Sequence, residues 1–166
     1  MKRFYILLVF ITLGMVANAQ SFQVKVVKIS DGDTFTAINR DNLQIKFRIY
    51  GIDAPEKKQS FGTKSREYLS ALIFGKTVTV DVQSQDAWGR YITYVYTSDK
   101  KDVSLEMLKA GMAWHFSKYD DTLEYQEAEV NSRIRKIGLW ADPHRIDPGI
   151  FAKSKFYTLR QLFHTL

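Results

Sequence analysis

Between residues 22 and 97 the chain reads as five short strands with one helix set between the third and the fourth. That order restricts the fold more than any other feature of the sequence. "FQVKVVKI" (22–29), "TFTAIN" (34–39) and "LQIKFRIY" (43–50) follow one another, with only "DGD" and "RDN" as turns. The third run alternates at Leu43, Ile45, Phe47 and Ile49, the two-residue period of a strand with one buried face. "SFGTKSREYLSALIFG" (60–75) changes to helical spacing at Phe61, Tyr68, Leu69, Leu72 and Ile73, with Ser60 as N-cap and Gly75 as stop. "KTVTVDVQ" (76–83) and "YITYVYT" (91–97) alternate again.

Two more helices are predicted. "DVSLEMLKAG" has Asp102 as N-cap and Gly111 as C-cap, and residues 120–138 carry Leu123, Val130, Ile134 and Ile137 at helical spacing. A brief extended piece, 112–116, lies between them. The expected class is α+β, mainly β. A five-stranded closed sheet of the oligonucleotide/oligosaccharide-binding (OB-fold) plan, with about three packed helices, suits the order of elements. A plain α+β sandwich is the alternative.

The first segment stands apart. "MKRFYILLVFITLGMVANAQ" has a basic start, an apolar stretch and a small-x-small ending at Ala17-Asn18-Ala19, the pattern of a secretory signal peptide. Roughly 13 apolar residues fall short of the ~20 that a membrane span needs. Cleavage after Ala19 is expected, with a soluble protein secreted or held in the periplasm. The division read from sequence is therefore a signal at 1–19, one domain at 20–141 and an irregular tail at 142–166. No cysteine is present, which excludes disulfides, a thiol nucleophile and attachment of lipid to an N-terminal cysteine. The net charge of +6 inclines the chain toward polyanions.

Chemistry gathers at "FRIYGIDAPE" (47–56). A hairpin about Asp41 would bring Thr34 near Ile49, Phe35 near Arg48 and Asp33 near Tyr50. Asp33 and Arg48 then become diagonal neighbours on one face. Gly51 would deliver Asp53 and Glu56 to the same end, where Asp31 also lies, so four acids are expected at one sheet edge. Clustered carboxylates need a raised pKa, an arginine or a hard cation to offset their repulsion. Oxygen donors without histidine or cysteine favour Ca2+ or Mg2+ over zinc. Arg48, costly to bury mid-strand without a partner, has the planar fork that grips a carboxylate or a phosphate. A second arginine, Arg90, follows "AWG". A cation, two arginines and a free carboxylate are what attack on a phosphodiester requires.

These residues resemble the staphylococcal nuclease (thermonuclease) family, from about Val24 to Trp140, through "ISDGDTF", "FRIYGIDAPE", "WGR", "GMAWHF" and "GLW" in that order. The resemblance implies an OB-fold barrel with three helices. It implies Asp33 and Asp53 as carboxylate ligands of one Ca2+ ion, with the main-chain carbonyl of Ala54 as a third. It implies Glu56 as general base and Arg48 and Arg90 as the groups that bind the phosphate and stabilise the transition state. Cleavage of DNA and RNA at the 5′ P–O bond would leave 3′-phosphate ends. The stretch after Glu56, "KKQSFGTKSREY", is shorter than the flexible loop of the best-known member. Trp88 precedes Gly89, and Trp114 and Phe116 stand where tyrosines are familiar; Trp88 and Trp114 are expected to stack on bases, core packing being the alternative for Trp114. Trp140 is expected to pack, and His115 to be a partly exposed bystander. Lys57, Lys58, Lys64 and Arg66 surround the expected site.

The function expected is that of a secreted Ca2+-dependent endonuclease, a monomer acting on single- or double-stranded DNA and RNA without a protein partner. The alternative is a non-catalytic OB-fold module that binds nucleic acid. The joint presence of Asp33, Arg48, Asp53, Glu56 and Arg90 favours the enzyme.

Overall fold

The computed structural model describes residues 20–152. The expected signal segment and the end of the tail lie outside them. In chain order the elements are β1 (Gln20–Ile29), β2 (Thr34–Ile38), β3 (Gln44–Ile49), β4 (Ile52–Asp53), α1 (Gly62–Ile73), β5 (Thr77–Gln85) and β6 (Tyr91–Tyr96). Then come α2 (Val103–Lys109), β7 (Trp114–His115), α3 (Leu123–Ile134) and a 3-10 turn at Gly138–Ala141.

Five strands close into a barrel in the order β1-β2-β3-β6-β5. Every pairing is antiparallel except β3 with β6, which is parallel. That single parallel ladder closes the cylinder. Register shifts at Val26/Lys28 and at Val82/Ser84 increase local twist, which a small barrel needs. The OB-fold class read from the strand order is the class observed.

Alternation sends Val24, Val26, Phe35, Ala37, Phe47, Ile49, Val78, Val80 and Val95 to the interior, all fully buried. Each such side chain contributes about 1.5–3 kcal/mol by leaving water. Phe35 and Phe47 stack at 5.2 Å between centroids across the β2–β3 ladder. Leu43, placed on the buried face by its spacing, precedes the strand and is exposed. The β2–β3 register differs by one residue from the expected one. Thr34 faces Arg48 and Phe35 faces Phe47, because a one-residue slip would set one of the two phenylalanines on the outer face.

Two helix readings need correction. Ser60 does not cap α1: the N-cap position is Phe61, with φ 65°, and no side chain caps the helix. The Ser60 hydroxyl donates instead to Asp142 Oδ2 at 2.6 Å. In α3, Leu123, Val130 and Ile134 are exposed, and the buried face is Tyr125, Ala128, Glu129 and Ser132. Polar anchors turn the helix. Ser132 Oγ donates to the carbonyls of Leu108 and Lys109 at the end of α2, at 2.7 and 3.0 Å. Tyr125 donates its hydroxyl proton to Asp102, which also caps α2 through Leu105 N–H. These bonds supply partners to helix-end carbonyls and to a cap carboxylate that burial would otherwise strand.

Candidate active site

Arg48 leaves β3 on the outer face of the barrel, opposite the side taken by Phe47 and Ile49. The parallel ladder sets Arg48 against Ile92. Arg90, two residues earlier, therefore stands at the entrance of β6 on the same face. Two positively charged forks far apart in sequence are brought together by one strand pairing.

The acids come from a bend before β2 and from the short strand β4. Asp33 lies just before β2, so strand alternation does not bind its direction. Its carboxylate is buried and accepts from Thr34 Oγ1 at 2.9 Å, from the main-chain N–H of Ala54 at 3.0 Å and from Arg48 Nη1 at 3.2 Å. Asp53 sits in β4, which pairs with β7 through Ile52–His115 and Asp53–Trp114. Gly51, at φ 76°, makes the turn that starts this strand; a Cβ there would meet the ring of Tyr125 at 2.8 Å. The result is a shared contact. Arg48 Nη2 lies 2.7 Å from Asp53 Oδ1 and 3.1 Å from Asp33 Oδ2.

Charge compensation is incomplete. Burial, and then the charge of Asp33, push Asp53 up to about 6 from 3.8, although Arg48 pulls it down. Burial likewise raises Asp31 to about 6, with repulsion from Asp33 adding to it. Burial alone would lower the pKa of Arg48. The charges of Asp33 and Asp53 outweigh it and hold the guanidinium above its ordinary range.

Arg90 has its own brace. Its Nε donates to Asp86 Oδ2 at 2.7 Å, and its main-chain N–H donates to Asp86 Oδ1 at 3.0 Å. Burial would raise the Asp86 carboxyl, but these bonds and one from Trp88 N–H bring it below its usual range. Trp88, largely exposed, lies 5.3 Å from the Arg90 guanidinium. Arg48, Asp53, Asp86, Trp88, Arg90 and Phe116 line one cavity of ≈ 570 Å³.

Residues 46–142 match the family model described as "Staphylococcal nuclease homologue". The chain belongs to the staphylococcal nuclease family. It is 41% identical over 143 residues to an "Uncharacterized endonuclease" of Haemophilus influenzae, covering 86% of this chain and 79% of that one. It is 33% identical over 153 residues to an "Uncharacterized endonuclease" of Escherichia coli O157:H7, covering 92% and 99%. It is also 33% identical over 138 residues to the "Micrococcal nuclease" of Shigella flexneri, covering 76% and 78%. The protein is a nuclease, a hydrolase of nucleic acid.

Of the residues singled out from sequence, the nuclease brings Arg48, Asp33, Asp53 and the N–H of Ala54 into direct contact, and Arg90 and Trp88 to the same cavity. Of the four acids expected at one edge, Asp31, Asp33 and Asp53 lie close enough to act on one another's charge. Among the described residues no group of three or more His, Asp or Glu side chains is arranged to hold a metal ion. Glu56 lies exposed in the turn after Pro55, and its carboxylate takes no hydrogen bond or ion pair among the described residues. Asp31 Oδ1 accepts from Asp33 N–H at 3.2 Å.

The donor set nonetheless fits a hard cation. Oxygens of Asp33 and Asp53 bracket one point that a guanidinium nitrogen now takes, and both carboxylates are hard oxygen donors. Two carboxylates would leave further positions for a main-chain carbonyl, water and phosphate oxygens.

Two aromatic expectations change. Trp114 is buried against Trp140, edge to face at 5.3 Å, and is not among the residues lining this cavity. Pairing of Asp53 with Trp114 in the β4–β7 ladder sends the ring to the core; Phe116 and Tyr119, 4.9 Å apart, line the cavity instead. His115 is not a surface bystander. Its side chain is buried, and Nε2 lies 2.7 Å from Asp120 Oδ2. Asp86 was missed, although its spacing of four from Arg90 in "DAWGR" is a readable pairing signal.

A pH prediction follows from Asp53. A carboxyl whose folded pKa is about 6 instead of 3.8 keeps its proton in the native state where the unfolded chain has lost it. Its contribution is therefore fully present below about 3.8 and is lost as pH rises through about 6. In chelator, the melting temperature of Asp53→Asn, relative to wild type, is expected to climb between those two pH values. A flat or falling difference in paired thermal melts would contradict the burial argument.

Proposed function

We propose that the protein is a secreted, Ca2+-dependent endonuclease that works as a monomer. It cuts DNA and RNA with little sequence preference and leaves 3′-phosphate ends. The observation that carries this reading is the convergence of Asp33 and Asp53 on one nitrogen of Arg48, in a cavity that Arg90 also lines. Asp33, Asp53 and the Ala54 carbonyl would hold the ion. Bound Ca2+ would neutralise charge on the phosphoryl oxygens and draw the phosphate into place.

The rest is work for the chain's own groups. Arg48 and Arg90 present N–H donors to non-bridging phosphate oxygens, where charge builds as the phosphorus becomes five-coordinate. Asp86 keeps Arg90 extended toward that position. Glu56, exposed and without a side-chain partner among the described residues, takes a proton from water as the water oxygen attacks phosphorus and the 5′ oxygen departs, to be protonated by solvent. Trp88 offers an exposed ring face on which a base can stack without selecting its identity. Secretion is supported by the leader pattern at 1–19.

The test is digestion of single-stranded DNA, duplex DNA and RNA with Ca2+, with Mg2+ and with chelator. Cleavage to 3′-phosphate ends with Ca2+, and none in chelator, is expected. Undiminished cutting in chelator would remove the ion from the reading. Binding without cutting under every condition would favour the non-catalytic module.

A further inference from the structure

Glu56 is exposed and its side chain has no partner among the described residues, so its aim depends on the main chain that carries it. One side chain controls that main chain. The N–H of Glu56 donates to Gln59 Oε1 at 2.6 Å, and the Glu56 carbonyl accepts the N–H of Gln59 at 2.8 Å. Gln59 Nε2 donates in turn to the carbonyl of Ile146 at 3.0 Å, 87 residues away. A main-chain N–H needs an acceptor and a carbonyl needs a donor, so the amide satisfies both in one orientation only.

The surroundings tighten the same turn. Gly62 N–H donates to the Gln59 carbonyl at 3.0 Å, and a Cβ on Gly62 would stand 2.2 Å from the Glu56 carbonyl oxygen. Ser60 ties the next residue to Asp142. On the other side, Ala54 N–H is anchored on Asp33. Glu56 thus sits between two fixed points: one on a carboxylate of the candidate ion site, the other on Gln59 and the segment 142–146.

We propose that Gln59 is a positioning residue for Glu56, clamping the turn that carries the base to the C-terminal segment at Ile146. This rests on Glu56 being the base. The short stretch after Glu56 then has a purpose. In place of a long loop, the nuclease has a turn whose ends are bonded to parts of the fold that precede and follow it.

Displacement of a reacting group by about 1 Å costs on the order of 10²-fold. Gln59→Ala is therefore expected to lower kcat on single-stranded DNA with Ca2+ about 10–100-fold, with KM within about threefold. Gln59→Met keeps the length of the side chain and loses both bonds; it should match the alanine variant while preserving the fold. The deciding measurement is a double-mutant cycle. In a Glu56→Gln background Gln59→Met should change kcat less than about twofold, because no base remains to be aimed. Equal losses in both backgrounds, or a loss confined to KM, would overturn the positioning role while leaving Glu56 as base. Wild-type turnover by Glu56→Gln alone would overturn both.

Discussion

Glu56→Gln is expected to lower kcat by about 10²–10⁴-fold, the usual contribution of a positioned proton acceptor, with the melting temperature unchanged. The amide has the shape of the carboxylate but cannot accept the proton of the attacking water. Stability should not respond, because the side chain is exposed and holds no hydrogen bond or ion pair among the described residues. Exposed substitutions of that kind usually stay within about 0.5 kcal/mol. KM should also hold, since phosphate is gripped by Arg48 and Arg90 in the proposed mechanism. Steady-state rates with thermal melts on the same preparations make the check. Turnover near that of wild type would remove Glu56 from the chemistry.

Arg48→Ala is expected to damage catalysis and stability together, and the two losses should separate. Loss of a donor to the transition state lowers kcat by about 10²–10³-fold. The stability loss has another origin. Arg48 reaches both Asp33 and Asp53, and Asp33 has a carboxylate that is only 5% exposed. Removing one partner of a buried charge pair costs roughly 3–5 kcal/mol, reduced here because Arg48 and Asp53 retain some water contact. At pH 7 in chelator the variant should therefore melt well below wild type. At about pH 4 the gap should narrow, since Asp53 takes up its proton as pH falls through about 6 and needs no counter-charge. Saturating Ca2+ should restore much of the stability at pH 7 but not the turnover, because an ion can replace the guanidinium between the carboxylates and cannot replace it on the phosphate. Recovery of both by Ca2+, or of neither, would refute this division of labour.

The strands were legible because each carries its own evidence. Alternation in "LQIKFRIY" and "YITYVYT" marks which residues face inward, and Asp102 announces the start of α2. Residues held by a hairpin were also within reach. Asp33 immediately precedes β2 and Arg48 lies in β3, two strands joined by a short turn, so their meeting survived a register error of one residue. Arg90 is different. Its approach to Arg48 depends on the parallel β3–β6 pairing, and no local pattern says which distant strand closes the barrel. The family resemblance supplied that contact where periodicity could not. Asp86 was readable from its spacing of four before Arg90. Gln59 was not, because half of its role lies at Ile146.

The sequence by itself determined the strand and helix order, the mainly β barrel class and the set of charged residues available for phosphodiester chemistry. These follow from short-range alternation, caps and motifs, which are properties of neighbours in the chain. Only the tertiary structure decided which way α3 faces, that Trp114 is packed against Trp140, and that the turn carrying Glu56 is tied to Ile146 through Gln59. Each of these is a competition between burial and hydrogen bonding with partners tens of residues away. Such competitions are settled only when every group that could satisfy a carbonyl, a carboxylate or an indole ring is in place.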